Sequence, residues 1–211
     1  MQTSQTSKEE FWNTLTHGVG FVIAFLGVVI LFIAADLSNI NLRTGLILYS
    51  SSLLLLYAAS TSYHFVENIS IKKKLRVLDH ISIYFLIAGT YSPMVLTLLK
   101  DGNGQLLFYI VWGFALLGAF LKLFFTGKFE KISLILYLLM GSLIVLDALT
   151  VFKTFKISEL IALCLGGIFY ITGIYFYVKT SIRYNHVIWH MFVIFGSFSH
   201  FLMIYFSVSR L

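Results

Sequence analysis

Two histidines four residues apart, His186 and His190, could share one metal ion. On a helix this spacing puts both imidazoles on one face, about 6 Å apart along the axis, a ligand pair of the kind that serves zinc. His64 offers a third nitrogen donor in the run Ser60-Thr61-Ser62-Tyr63-His64, where Ser60 shares its helical face. Three imidazoles are the ligand set of a catalytic zinc, which keeps its fourth position for water or substrate. Closed structural sites use four protein ligands, often cysteines. The one cysteine here, Cys164, lies inside an apolar run. Two histidines near a membrane interface can equally be packing residues held by hydrogen bonds. Asp79 could serve as a base toward a metal-bound water, or hold the free nitrogen of a ligand histidine. It could also cap a helix start, where the positive end of the dipole favours a carboxylate.

The elements that must position these residues are membrane spans. The 211 residues are 59% hydrophobic and 11% charged, the balance of a membrane protein rather than of a soluble domain. Nearly uncharged runs fall at 18–35, 46–65, 81–99, 104–121, 132–152, 160–178 and 187–208. Each is close to the roughly 20 residues that a crossing helix needs. The expected fold is all-α: an integral membrane bundle of seven transmembrane helices in one domain, residues 1–211, with 1–17 a short polar cytoplasmic segment. Glu9 and Glu10 in that segment argue against a cleavable signal peptide.

The net charge of +6 would suggest nucleic acid in a soluble chain, but these cations lie in the breaks between apolar runs and read as topology, so no nucleic-acid partner is expected. Assigning the breaks alternately to two sides groups Lys8, Lys72, Lys73, Lys74, Arg76, Lys122, Lys128, Lys131, Lys179 and Arg183 against Arg43, Lys100, Lys153, Lys156 and Arg210. Positive residues resist translocation, so the larger set belongs in the cytoplasm, with the amino terminus inside and the carboxyl terminus outside. His17, His64, Asp79, His80, His186 and His190 then all lie near the cytoplasmic mouth. The Lys-, Ile- and Phe-rich composition fits a bacterial cytoplasmic membrane.

Other polar or small residues invite plainer readings. His200, about 15 Å deeper than His190, should satisfy a buried polar contact. Asp147 lies too far from the mouth to join the site, and pairs with a neighbouring helix or meets solvent. Pro93 should kink the third span, while Gly113 with Gly118, and Gly166 and Gly167 with Gly173, should allow helices to approach closely. Cys164 should be packed against lipid or core. Retinal chemistry needs a mid-span lysine, which span seven lacks. A pore-former would need an amphipathic stretch able to insert, and every span is already apolar.

With these residues in view, the chain resembles the bacterial haemolysin III proteins, part of the wider progestin and adiponectin receptor family of seven-helix membrane proteins. The resemblance covers nearly the whole chain. It rests on Glu10-x-x-Asn13-x-x-x-His17, Ser60-x-x-x-His64, Leu78-Asp79-His80 through Ala88-Gly89-Thr90-Tyr91-Ser92-Pro93, and His186-x-x-Trp189-His190. It implies zinc held by His64, His186 and His190, with Asp79 contacting the zinc-bound water and Ser60 as the motif serine. It also implies an inside amino terminus and a relation to ceramidase-like membrane hydrolases. Two functions follow as expectations. One is a zinc-dependent hydrolase of lipid amides or esters, with substrate entering from the membrane lipids. The other is a non-catalytic cytolysin or receptor-like regulator of membrane state, in which zinc is structural. The short amino-terminal segment leaves no room for a hormone-binding ectodomain.

Overall fold

A computed structural model describes residues 5–210, and within them every regular element is a helix. In chain order these are α1 (Ser7–Ala34), α2 (Ile40–Phe65), α3 (Ile69–Leu96), α4 (Gly104–Phe125), α5 (Glu130–Ser142), a 3-10 segment (Leu143–Asp147), α6 (Ala148–Thr154), α7 (Ile157–Val178) and α8 (Asn185–Val208). Six rods are long and apolar enough to cross a membrane: α1, α2, α4, the Glu130–Thr154 rod, α7 and α8. The exception, α3, is diluted by Lys72 to Lys74, Arg76, Asp79 and His80 and by a hydroxyl-rich second half around Pro93. It is instead deeply packed, against α2 on one side and α4 on the other, and α1 lies between α2 and α8.

Helix starts differ from those that the apolar runs suggested. The Thr6 hydroxyl accepts the Glu9 N–H while the Glu9 carboxylate accepts the Thr6 N–H, a reciprocal cap that begins α1 at Ser7. Residues 7–17 of the polar segment are therefore its first turns. Asn68 caps α3 through the N–H groups of Ser70 and Ile71. The break expected between the runs 46–65 and 81–99 thus shrinks to three residues, 66–68, and the basic cluster sits on the helix. Lysine and arginine are good helix formers whose long stems let the charge reach water, so charge marks where apolarity ends, not where a helix ends. Asp79 accordingly lies well inside α3, and the helix-start cap considered for it does not apply.

The fifth run is also not one continuous helix. The Tyr91 hydroxyl shares its hydrogen between the Met140 and Gly141 carbonyls, 2.9 Å from each, and accepts the Ile144 N–H at 3.0 Å. A side chain inserted into the helical ladder diverts it, here into the 3-10 segment. Close approach is real at Gly118, which receives the Tyr84 ring, at Gly166 against His200, and at Gly173 against Trp189, whereas Gly113 and Gly167 face open space. Gly45 of α2 lies directly against Pro93. Large apolar side chains such as Ile33, Leu149 and Ile168 remain exposed, as a lipid-facing surface requires, and Cys164 joins that outer surface.

Candidate metal centre

The geometry at one end of the bundle follows from two helix termini. His64 ends α2 and is buried, and His186 and His190 open α8 one turn apart. The α8 start is set by Tyr184, the one non-glycine residue with positive φ (58°) among the described residues. That conformation costs of order 1–3 kcal/mol and persists where surrounding structure imposes it. Ring centroids stand 5.1 Å apart for His64 and His186, 5.0 Å for His64 and His190, and 4.6 Å for His186 and His190. One ligand nitrogen from each of the three lies within 4.8 Å of the others.

Two rings are oriented from behind by α1. His64 Nδ1 donates to Glu10 Oε2 at 2.7 Å, and Glu10 Oε1 is held by Lys72 Nζ at 3.0 Å. The opposite nitrogen, His64 Nε2, is buried without a partner. His190 Nδ1 lies 3.3 Å from Thr16 Oγ1, whose hydrogen is already directed at the Trp12 and Asn13 carbonyls. The ring must therefore be the donor, which again leaves Nε2 as the free lone pair. A carboxylate or hydroxyl behind a histidine that points its other nitrogen inward is the usual support of a metal ligand. The donor set fits zinc, and the unpartnered His64 Nε2 is the observation that an ion would satisfy.

Asp79 stands near this group but outside it. Its side chain is 13% exposed, and its Oδ2 lies 3.5 Å from His80 Nδ1. Ser60 is buried one turn before His64. His80 turns away, donating from Nδ1 to the Arg76 carbonyl at 2.8 Å. Behind it Glu130 gathers Lys122 Nζ at 2.8 Å and Arg76 at 3.7 Å, tying α3, α4 and α5 together. His200 Nε2 meets the Leu163 carbonyl at 3.3 Å, the buried polar contact expected of it. Asp147, at the far end, accepts from the Asn103 N–H and the Thr150 hydroxyl.

Two residues of this end carry more than the sequence reading gave them. Glu10 supports His64, and His17 stacks face to face on His190 with ring centroids 3.6 Å apart. Their spacing of seven puts them on one helical face. That signal was readable, but only once α1 is known to begin before both.

Comparison with known proteins agrees with this architecture. The family described as Haemolysin-III related matches residues 5–201. The chain is 38% identical over 202 residues to a protein called Hemolysin-3 homolog from Bacillus subtilis, covering 95% of each chain. It is 35% identical over 206 residues to Hemolysin-3 from Bacillus cereus, covering 97% of this chain and 94% of the relative. A more distant similarity, 27% over 208 residues, links it to the human monocyte to macrophage differentiation factor, covering 95% of this chain and 84% of the relative. No solved structure matches the chain. With its apolar rods and a family match along almost its whole length, the chain belongs to the haemolysin-III family of multi-pass membrane proteins.

Proposed function

We propose that this protein is a zinc-dependent hydrolase of lipid amides or esters, working at the end of the bundle where α2 finishes and α8 begins. The observation that carries the reading is the buried, unpartnered Nε2 of His64, facing His186 and His190 and backed by Glu10. The same reading makes the chain one transmembrane domain of seven crossings. The 28-residue α3, about 42 Å long, is the seventh, and the cation-rich side, with the amino terminus, is cytoplasmic.

Zinc on three neutral imidazoles acts as a Lewis acid and can bring the pKa of water to about 7. The chain's own residues do the rest. Glu10 and Thr16 keep protons on His64 Nδ1 and His190 Nδ1, so that both Nε2 lone pairs point inward. Asp79 takes the proton of the attacking water on its carboxylate and returns it to the leaving amine or alcohol. Ser60 supplies a hydroxyl to the reacting oxygen. Substrate comes from the bilayer.

The names of the relatives suggest a second reading, in which the protein is a cytolysin or regulator and the ion only ties α2 to α8. Metal per chain in detergent-purified protein, followed by hydrolysis of a panel of fluorescent lipid amides and esters, separates the two. The hydrolase reading expects about one zinc per chain in wild type, almost none in H64A, and in D79N full zinc with turnover lost. Absence of zinc from folded wild type overturns it. Zinc without turnover of any substrate in the panel favours the structural ion.

A further inference from the structure

The metal-centre end is built in layers two helical turns apart on three helices at once. Glu10 on α1 meets His64 on α2. Seven residues further on α1, His17 meets His190 on α8 and Tyr57 on α2. Tyr57, seven residues before His64, in turn meets Ser197, seven residues beyond His190, with the two hydroxyls 2.5 Å apart. His17 therefore sits about 10 Å further into the bundle than Glu10, between the ligand histidines and a pair of interior hydroxyls.

His17 is only 3% exposed, yet neither of its ring nitrogens makes a well-formed hydrogen bond. The His190 carbonyl is within loose reach of the ring, but the geometry of a hydrogen bond is not met. Stacking alone does not account for the residue. A phenylalanine would cover His190 equally well without leaving two buried polar atoms, which are costly when unsatisfied. Nor does His17 belong to the group of ligand nitrogens, which contains only His64, His186 and His190.

Building on the hydrolase reading, we propose that His17 is a substrate-contacting residue, whose ring N–H donates to the carbonyl oxygen of a lipid amide or ester held against the three ligand histidines. Its place on the inner side of those histidines is where a carbonyl arriving from the membrane interior would stop. A neutral imidazole has one donor and one acceptor nitrogen. The second ring nitrogen can accept a hydrogen bond from a hydroxyl or amide N–H of the same lipid.

The test measures equilibrium binding, so that it does not depend on turnover. Zinc-loaded D79N in detergent is titrated with an N-acyl long-chain amino alcohol bearing a fluorescent acyl chain, with a fluorescent hydrocarbon of equal chain length as the control for partitioning. H17F in the same background should retain zinc and lose affinity for the amide at least tenfold, while H17Q, which keeps a donor and an acceptor, should recover part of it. Unchanged affinity in H17F overturns the role of His17 and leaves the hydrolase reading standing. Loss of zinc in both H17F and H17Q makes His17 part of the metal site and overturns the proposal. If D79N binds the amide no better than the hydrocarbon, and wild type hydrolyses nothing, both readings fall.

Discussion

At the end of the bundle where α3 and α8 finish, the two buried carboxylates are both engaged. Glu159, wholly buried at the start of α7, receives Arg210 Nε and Nη2 at 2.8 and 2.9 Å and the Lys156 N–H at 2.8 Å. Asp147 receives Asn103 and Thr150. At the opposite end, His17, His64, His80, Asn13 and Thr61 all keep buried polar atoms without partners. Both ends place charges and hydroxyls among apolar helices, so polarity does not distinguish them. The difference among the described residues is completion: one end is a finished clamp, and the other holds a cluster of donors and acceptors without partners. Buried groups left unsatisfied call for an explanation, and a ligand is a direct one.

If this contrast is correct, variants at the two ends should fail in different ways. The largest effect is expected from H186A/H190A, which should abolish zinc binding measured as metal per chain while leaving the helical circular dichroism unchanged. R210A should do the reverse. Removing one partner of a buried ion pair costs about 3–5 kcal/mol, and because Arg210 is itself 24% exposed the lower end applies. Its thermal midpoint should fall while its zinc content stays that of wild type. A smaller effect belongs to E10A, which removes the carboxylate behind His64. Supporting residues of this kind are worth about 10–100-fold in metal affinity, readable by competition with a chelator of known affinity. T16V should lower zinc affinity less than E10A, because it removes a bond to a neutral hydroxyl at 3.3 Å whereas E10A removes a charge-assisted bond at 2.7 Å. An R210A protein that lost zinc, or an E10A protein that lost only stability, would dissolve the distinction.

Much of the arrangement could be read from the sequence. The i, i+4 spacing of His186 and His190, and the place of His64 at the end of an apolar run, were enough to bring the three together. The apolar runs located the helices, because a chain that crosses lipid must alternate long apolar stretches with polar breaks. Charge misled where it was taken to end helices. Reading Lys72 to Arg76 as a break hid the first turns of α3 and placed Asp79 at a helix start, and reading 1–17 as a loose polar segment hid the face shared by Glu10 and His17. The Tyr91 insertion that splits the fifth rod depends on a contact from another helix, and no local pattern in residues 130–154 announces it.

The nitrogen donors come from opposite ends of the chain, one from the second helix and two from the last. Synthesis proceeds from the amino terminus, so of these three a nascent chain carries only His64 until α8 has been made and has returned to α1 and α2. The complete ligand set exists only after every intervening helix is inserted. On the metal-binding reading, ion capture is therefore a late event of biogenesis, and a chain truncated before α8 carries one of the three clustered histidines, whatever the metal supply.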